Sequence, residues 1–467
     1  MSSEAAAAAP RLKRALSLWD LVFCGIILIQ PTAPMPLFGV VHQEARGHVV
    51  TTILIGMVAM LFTAISYGRM ARAYPLAGSA YTYVGREIHP ALGYVTGWSM
   101  AMDYMINPIL CVVWCSKAAG NIAPEILYEV WVVFFALLFT GLNLRGIRAT
   151  ARTNEVLAAG MGVVVLLVFI AAARYVLGLG RLDAAFFTTP FYDPRTFSLD
   201  TVFTGASIAV LTYIGFDGIS TLSEEAHNPR QNILLATVLT CLVTGILASL
   251  EVYAAQLVWH DGRPFPDVDT AYVHVAGRAG GAWLLQLVNF TLLVASIGSG
   301  SAAQLAGARL LYGMGRDNAI PRSFFGVIST KRNIPRNNVL FTGALALGGA
   351  FVLSYQLAAE LLNFGAFIAF MGVNLAAFTR YFLRADEKKW TNAVPPLLGF
   401  AICFYIWLNL RTPARIAGFA WLAVGIVYGA WRTKGFRRDL VRFEAPSEDP
   451  PEAEQVLQPP MNADERR

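Results

Sequence analysis

Residues 24–36 read Cys-Gly-Ile-Ile-Leu-Ile-Gln-Pro-Thr-Ala-Pro-Met-Pro, and residues 212–221 read Thr-Tyr-Ile-Gly-Phe-Asp-Gly-Ile-Ser-Thr. Pro31, Pro34 and Pro36 remove three backbone donors within six residues, so the first stretch cannot be a regular helix. In the second, Gly215 and Gly218 flank Phe216 and Asp217. Both stretches lie inside apolar runs long enough to cross a bilayer. Unwound backbone at membrane depth is tolerated only where it lines a cavity or is buried in protein. Singly, each stretch reads equally well as a proline kink or a glycine packing notch.

Counting outward from these two gives twelve apolar spans, roughly 19–41, 49–67, 91–119, 128–143, 155–177, 201–222, 233–259, 283–311, 339–355, 358–382, 396–410 and 415–431. The fourth and eleventh are short, and the eighth must tilt or run past the membrane. Composition agrees: 56% of residues are apolar and 14% charged, against about 25% charged in soluble domains. An all-α integral membrane protein is expected. A disordered chain, a collagen and a disulfide-rich module are excluded. The interrupted spans are the first and the sixth, five apart, as expected of two inverted repeats of five spans. Interruptions at corresponding places point to a midplane substrate site in a secondary transporter, where half-helix ends offer free N–H and C=O groups.

With the N-terminus inside, 27 of the 36 basic residues fall in inner segments, so both termini are expected on the cytoplasmic side. The same bias accounts for the net charge of +6 without a nucleic-acid partner. The chain divides into an inner N-terminal segment (1–17), a transmembrane domain (18–435) and an inner, largely disordered tail (436–467) rich in Pro and Glu. Within the domain, repeat one covers about 19–177, repeat two about 201–383, and two further helices about 395–431. The acidic loop 260–272 falls outside and reads as solvated. The five cysteines, Cys24, Cys111, Cys115, Cys241 and Cys403, read as small helix-packing residues.

The stretch Gly215-Phe216-Asp217-Gly218, continuing Thr221-Leu222-Ser223-Glu224-Glu225-Ala226-His227-Asn228-Pro229, resembles the sixth helix of the amino acid–polyamine–organocation superfamily and the loop after it. So do Phe62-Thr63-Ala64-Ile65-Ser66-Tyr67-Gly68, Tyr74-Pro75-Leu76-Ala77-Gly78-Ser79-Ala80-Tyr81-Thr82-Tyr83, Gly97-Trp98 with Asp103-Tyr104, and Arg309-Leu310-Leu311-Tyr312-Gly313-Met314-Gly315-Arg316-Asp317. The likeness covers about residues 15 to 435. Leu18-Trp19, the proline of the first break and the Leu-Ser-Glu-Glu run resemble the bacterial putrescine-importer branch most. The resemblance implies a LeuT-like five-plus-five inverted repeat with two extra helices, alternating access, and amino acid or amine substrates. The chain departs from the family in two places. A Gly-Ser-Gly-like break is replaced by Gln30-Pro31-Thr32-Ala33-Pro34, where only Thr32, Ala33 and Met35 still offer nearby N–H groups; this tilts toward an amine without a carboxylate. The helix-five lysine that stands in for sodium in some members is matched by Met161.

The breaks place Gln30, Thr32, Ala33, Tyr213, Gly215, Phe216, Asp217 and Gly218 around the expected substrate. An acid at membrane depth costs several kcal/mol, so Asp217 reads as an amine ligand, a proton carrier or a cap on the unwound segment. Asp103 and Asn107 share a helix face, and the Tyr104 ring can flank a cation. Glu224, with Glu225, reads as a coupling or proton group lining the inner vestibule or as a partner of loop arginines such as Arg230. Glu251 reads as a counter-charge, a proton site or a group snorkelling to the outer interface. Tyr213 and Phe216 either gate or pack. Ser296, Ser299 and Ser301, with Gly298 and Gly300, suit close packing or an ion site. Asn363, Gly365 and Asn374 either bond across helices or face the pathway.

The spans show no HExxH, Walker loop, GxSxG or His/Cys metal set. The expectation is a secondary active transporter, not an enzyme, with no cofactor or metal. It would import amino acids or putrescine-like polyamines across the inner membrane, coupled to protons. An amino acid/amine exchanger of the same fold is the alternative. A channel, a receptor and a multipass membrane enzyme are the rival classes.

Overall fold

The computed structural model describes residues 16–74, 79–145, 151–180, 183–222, 226–316, 320–329 and 334–435. Residues 1–15 and the tail 436–467 lie outside the described residues, as do Glu224 and Glu225. Every regular element among the described residues is helical. α1 (Leu18–Ile29) opens with a capping box: Asp20 N–H donates to Ser17 Oγ at 3.3 Å and Ser17 N–H to Asp20 Oδ2 at 2.9 Å. It stops at Gln30, the chain turns through the prolines, and α2 (Phe38–Glu44) completes the first apolar run.

Then follow α3 (Val49–Ala73), the short α4 (Ser79–Glu87), α5 (Pro90–Gly120), α6 (Tyr128–Arg145), α7 (Ala151–Gly178) and α8 (Ala184–Thr188). The sixth run is α9 (Leu199–Ala209), continued by two tight 3₁₀ turns, Val210–Tyr213 and Phe216–Leu222. The second half holds α10 (Pro229–Val258), α11 (Ala271–Gly280), α12 (Ala282–Arg316), α13 (Arg322–Phe325), α14 (Arg336–Val352) and α15 (Tyr355–Phe378). α15 ends in a π-helical turn, Thr379–Leu383, before α16 (Trp390–Leu408) and α17 (Thr412–Arg432).

Nine helices among the described residues are long and apolar enough to cross a membrane. α12 has 35 residues and runs about 52 Å, well beyond a hydrocarbon core of roughly 30 Å. Phe134, Leu137, Leu166, Phe404, Val424 and Val427 are exposed, while Trp114, Tyr67, Phe139 and Phe367 are fully buried. An apolar surface on this scale suits lipid rather than water.

Inside, α3 packs on α10, α5 on α12, α6 on α14, and α1 on the turn at 216–222. The α3–α10 crossing is close because Gly68 has no side chain: a Cβ there would sit 2.5 Å from Leu234 Cα. The buried amides tie helices together. Asn363 donates to Ser207 O at 2.7 Å and Asn374 to Thr63 Oγ1 at 3.1 Å, so both bond across helices. Asn143 donates to Ser301 O at 3.0 Å and to Gln304 Oε1 at 2.9 Å.

The loop before α11 is more than a solvated segment. Arg278 grips Asp261 with two bonds of 2.9 Å, and Lys117 lies 3.5 Å from Asp267 and 3.8 Å from Asp269. At the end of α2, Gln356 donates to Glu44 at 2.6 Å, and Arg411 donates to the buried Glu360 at 2.6 Å.

Two outcomes follow from this packing. Gly68→Val should abolish a monodisperse folded peak in size-exclusion chromatography, with Gly68→Ala intermediate. The Arg278 guanidinium holds the Asp261 carboxyl down to about 2. The pair therefore stabilises the fold above the ordinary carboxylate range near 4, and that stability is lost as pH falls toward 2. Thermal scans of Asp261→Asn should show a Tm lower by about 1–2 °C at neutral pH. The difference from the parent should vanish at the acid end.

Candidate functional site

Helix one and the sixth run are interrupted at the same place in space. α1 ends because Gln30 adopts φ 75° and Pro31 follows it. α9 tightens into the first 3₁₀ turn, Ile214 is extended (φ −62°, ψ 127°), and Gly215 takes φ +122°. That conformation requires glycine. A side chain there would also come within 3.2 Å of Leu28 O, in the last turn of α1. The two breaks therefore lie against one another.

The first break is more self-contained than its sequence suggests. Ala33 N–H donates to Gln30 O at 3.2 Å and Met35 N–H to Thr32 O at 3.1 Å. Two of the three amides expected to be available are thus committed to turns, because the prolines fold the segment back on itself. The Gln30 side chain turns to α12, donating to Ala295 O at 3.4 Å. Thr32 is buried with its hydroxyl 3.7 Å from Met161 Sδ in α7. The first break thus contacts α7 at the position matched with the family's lysine, and a thioether stands there.

Asp217 follows the second break. Its carboxylate lies against the backbone amides of Gly215, Asp217 and Gly218, and its carbonyl accepts from Ser220 Oγ at 2.6 Å. The capping role is therefore real, and it does not exhaust the group. Asp217 and, on α5, Asp103 and Tyr104 all keep some accessible surface although protein surrounds them. They therefore border an internal space. Asp103 and Asp217 are within electrostatic reach of each other, and Tyr104 of both. Among the described residues neither acid has an ion-pair partner, and no metal-binding cluster occurs. Asn107, sharing a face with Asp103, accepts from Cys111 Sγ at 3.3 Å.

Other expected residues sit elsewhere. Tyr213 is fully buried and donates to Ile53 O in α3 at 2.8 Å, so it packs and pins the turn rather than bordering the internal space. Phe216 is also fully buried, edge-on to Tyr67 with centroids 5.4 Å apart and tilted against Phe370 at 5.5 Å. Gly218 stays partly accessible beside Leu28. Glu251 does not snorkel. It is fully buried in α10 and neither carboxylate oxygen has a partner. Tyr272 reaches only its backbone carbonyl, at 3.4 Å. Among the described residues, no hydrogen bond or ion pair ties Glu251 to the Asp103–Asp217 space.

Sequence reasoning passed over Tyr67 and Tyr83, although both lie in stretches that carry the family likeness. Tyr67 is fully buried, its hydroxyl has no partner, and Asp217, Tyr83 and Tyr104 are within its electrostatic reach. A separate cleft of about 610 Å³, lined by Lys117, Tyr128, Trp131, Asp267, Asp269 and Tyr355 among others, contains none of the break residues.

Taken together, two interrupted helices enclose an acidic, aromatic space within a helical membrane protein. The arrangement suits a small cation. Comparison with known proteins agrees. The family model for amino acid permeases matches residues 35–432. The chain is 34% identical to the low-affinity putrescine importer PlaP of Escherichia coli K12, over 93% of this chain and 96% of that protein. It is 27% identical to the branched-chain amino acid permease BcaP of Lactococcus lactis, over 90% and 95% of the two chains. It is 25% identical to a methylthioribose transporter of Bacillus subtilis, over 91% and 94%. The likeness to the putrescine-importer branch read from the sequence is borne out. The protein is a transporter and not an enzyme, and it belongs to the amino acid permease family of the amino acid–polyamine–organocation superfamily.

Proposed function

We propose that the chain imports a small organic diamine, putrescine or a close analogue, across the cytoplasmic membrane, driven by protons. The observation that carries this reading is the pair of carboxylates, Asp103 and Asp217, within reach of each other and with no cationic partner among the described residues. Two carboxyl groups in a space walled by protein can carry charge together only with compensating positive charge, and a diamine brings two ammonium groups on an apolar spacer. Tyr104 adds an aromatic face and a hydroxyl suited to an ammonium. The first break supports the same substrate, since its amides are largely spent on internal turns and would hold a carboxylate poorly. The 34% identity to a putrescine importer points the same way.

The transport cycle we propose uses two inverted five-helix repeats, 19–177 and 201–383, with α16 and α17 outside them. Support comes from the packing of helices on their counterparts five spans on: α3 on α10, α5 on α12, α6 on α14, and α1 on the turn at 216–222. Both termini would lie on the cytoplasmic side, following the distribution of basic residues. Asp217 would exchange its proton with the cavity as the substrate comes and goes, and Glu251 is a second candidate because it is buried without a partner.

Exchange of amines for amino acids on the same scaffold is the alternative. Trans-stimulation of uptake by internal amino acid, with no response to a proton gradient, would favour it.

In proteoliposomes, Asp217→Asn should reduce proton-driven putrescine uptake at least about 100-fold. Unchanged gradient-driven uptake would remove Asp217 from the coupling role. Asp103→Asn should raise the KM for putrescine about tenfold or more while leaving kcat within a few-fold. An equal fall in kcat with unchanged KM would mean that Asp103 does not bind the substrate ion.

A further inference from the structure

Below the Asp217 turn, a column of rings leads to the end of the molecule where α3 and α15 finish. Phe216 meets Tyr67 and Phe370, Tyr67 meets Tyr83 edge-on at 6.3 Å, and Tyr83 stacks on Tyr74 at 6.5 Å. The column is locked at its foot. Glu87, the last residue of α4, is only 1% exposed, yet its carboxylate gathers three donors. Tyr74 OH donates to Oε1 at 2.6 Å, Arg380 Nη1 to the same oxygen at 2.5 Å, and Arg384 Nη1 to Oε2 at 3.0 Å. Arg380 also donates to Tyr74 OH at 3.1 Å, and its guanidinium lies over the Tyr74 ring at 5.0 Å. Both arginines belong to the end of α15, where the helix shifts into the π turn Thr379–Leu383. Such turns are rare in helices and recur where function needs them.

We infer that Glu87, with Arg380 and Arg384, is the latch that holds the exit from the Asp217 space closed on the cytoplasmic side. The inference rests on the orientation proposed above and not on the identity of the substrate. The chemistry suits a two-state contact. While α4 stays against α15, the carboxylate has every partner it needs. Once the two elements part, Glu87 loses its counter-ions and must gain water instead, so intermediate positions are disfavoured. Tyr74 and Tyr83 connect the latch to Tyr67 and Phe216 and hence to the broken helix. Release of the ion pairs therefore frees the rings to part.

The test uses the full chain with Cys24, Cys111, Cys115, Cys241 and Cys403 replaced by serine or alanine, uptake retained, and Ser220→Cys as reporter. Ser220 is fully buried beside Tyr83 and bonded to the Asp217 carbonyl. Modification of the reporter by a cationic, membrane-impermeant methanethiosulfonate reagent is timed in inside-out and right-side-out vesicles. Glu87→Gln should raise the rate in inside-out vesicles at least about tenfold without raising it in right-side-out vesicles. Arg384→Gln should do the same more weakly. Lys389→Gln, at an exposed pair with Glu387 on the same end, should change nothing. If Glu87→Gln does not fold, as judged by a monodisperse peak in detergent, Arg384→Gln carries the test alone. An increase confined to right-side-out vesicles would keep the latch and overturn the orientation. Unchanged rates in the folded variants, or equal increases from both faces, would overturn the latch.

Discussion

The two broken runs meet where Gly215 lies against the last turn of α1. A residue with φ +122° and no side chain lets the broken sixth run press on the carbonyl of Leu28. Everything else at the site depends on that approach. It sets the start of the turn that carries Asp217, next to the point where Gln30 and Pro31 end α1. It also leaves Phe216 as the first ring of the column leading away. A Cβ at 215 would crowd the Leu28 carbonyl and sit on a backbone conformation that side chains rarely adopt.

Charge follows a consistent plan around this contact. Carboxylates at the ends of the molecule are gripped by arginines: Glu360 by Arg411, Asp261 by Arg278, and Glu87 by Arg380 and Arg384. The carboxylates at its centre are not. Buried ion pairs contribute little net stability but fix geometry, and breaking one is costly. They therefore suit elements that must hold one of two positions. An acid without a partner suits a passing cation instead. Polar side chains between the helices, such as Asn143, Asn363 and Asn374, spend their donors on neighbouring helices.

Much of this was legible in the residues. Prolines 31, 34 and 36 and glycines 215 and 218 announce breaks because their effects are local and do not depend on neighbours. Asp103 and Asp217 stand out because acids are rare in apolar runs. The rest depended on three-dimensional pairing. The side chain of Tyr213 could not be assigned from its position, since its partner, the Ile53 carbonyl, lies 160 residues away. The amides of Ala33 and Met35 looked available until the turns among the prolines were seen to use them. Glu251 read as a counter-charge, a proton site or an interfacial group, and only the packing of α10 shows that it is fully buried. Glu87 carried no signal as a single acid in a polar stretch. Its role emerges only when the π turn brings two arginines from nearly 300 residues further on.

Asp217 at the second break and Asp103 on α5 together hold the diamine in the transport cycle proposed above. The most direct measurement is equilibrium binding of labelled putrescine to the purified protein, with unlabelled amines and amino acids as competitors. The account predicts displacement by diamines of similar length, weak displacement by n-butylamine, and none by leucine. Displacement by leucine and not by diamines would show that the first break still holds a carboxylate and would contradict the account.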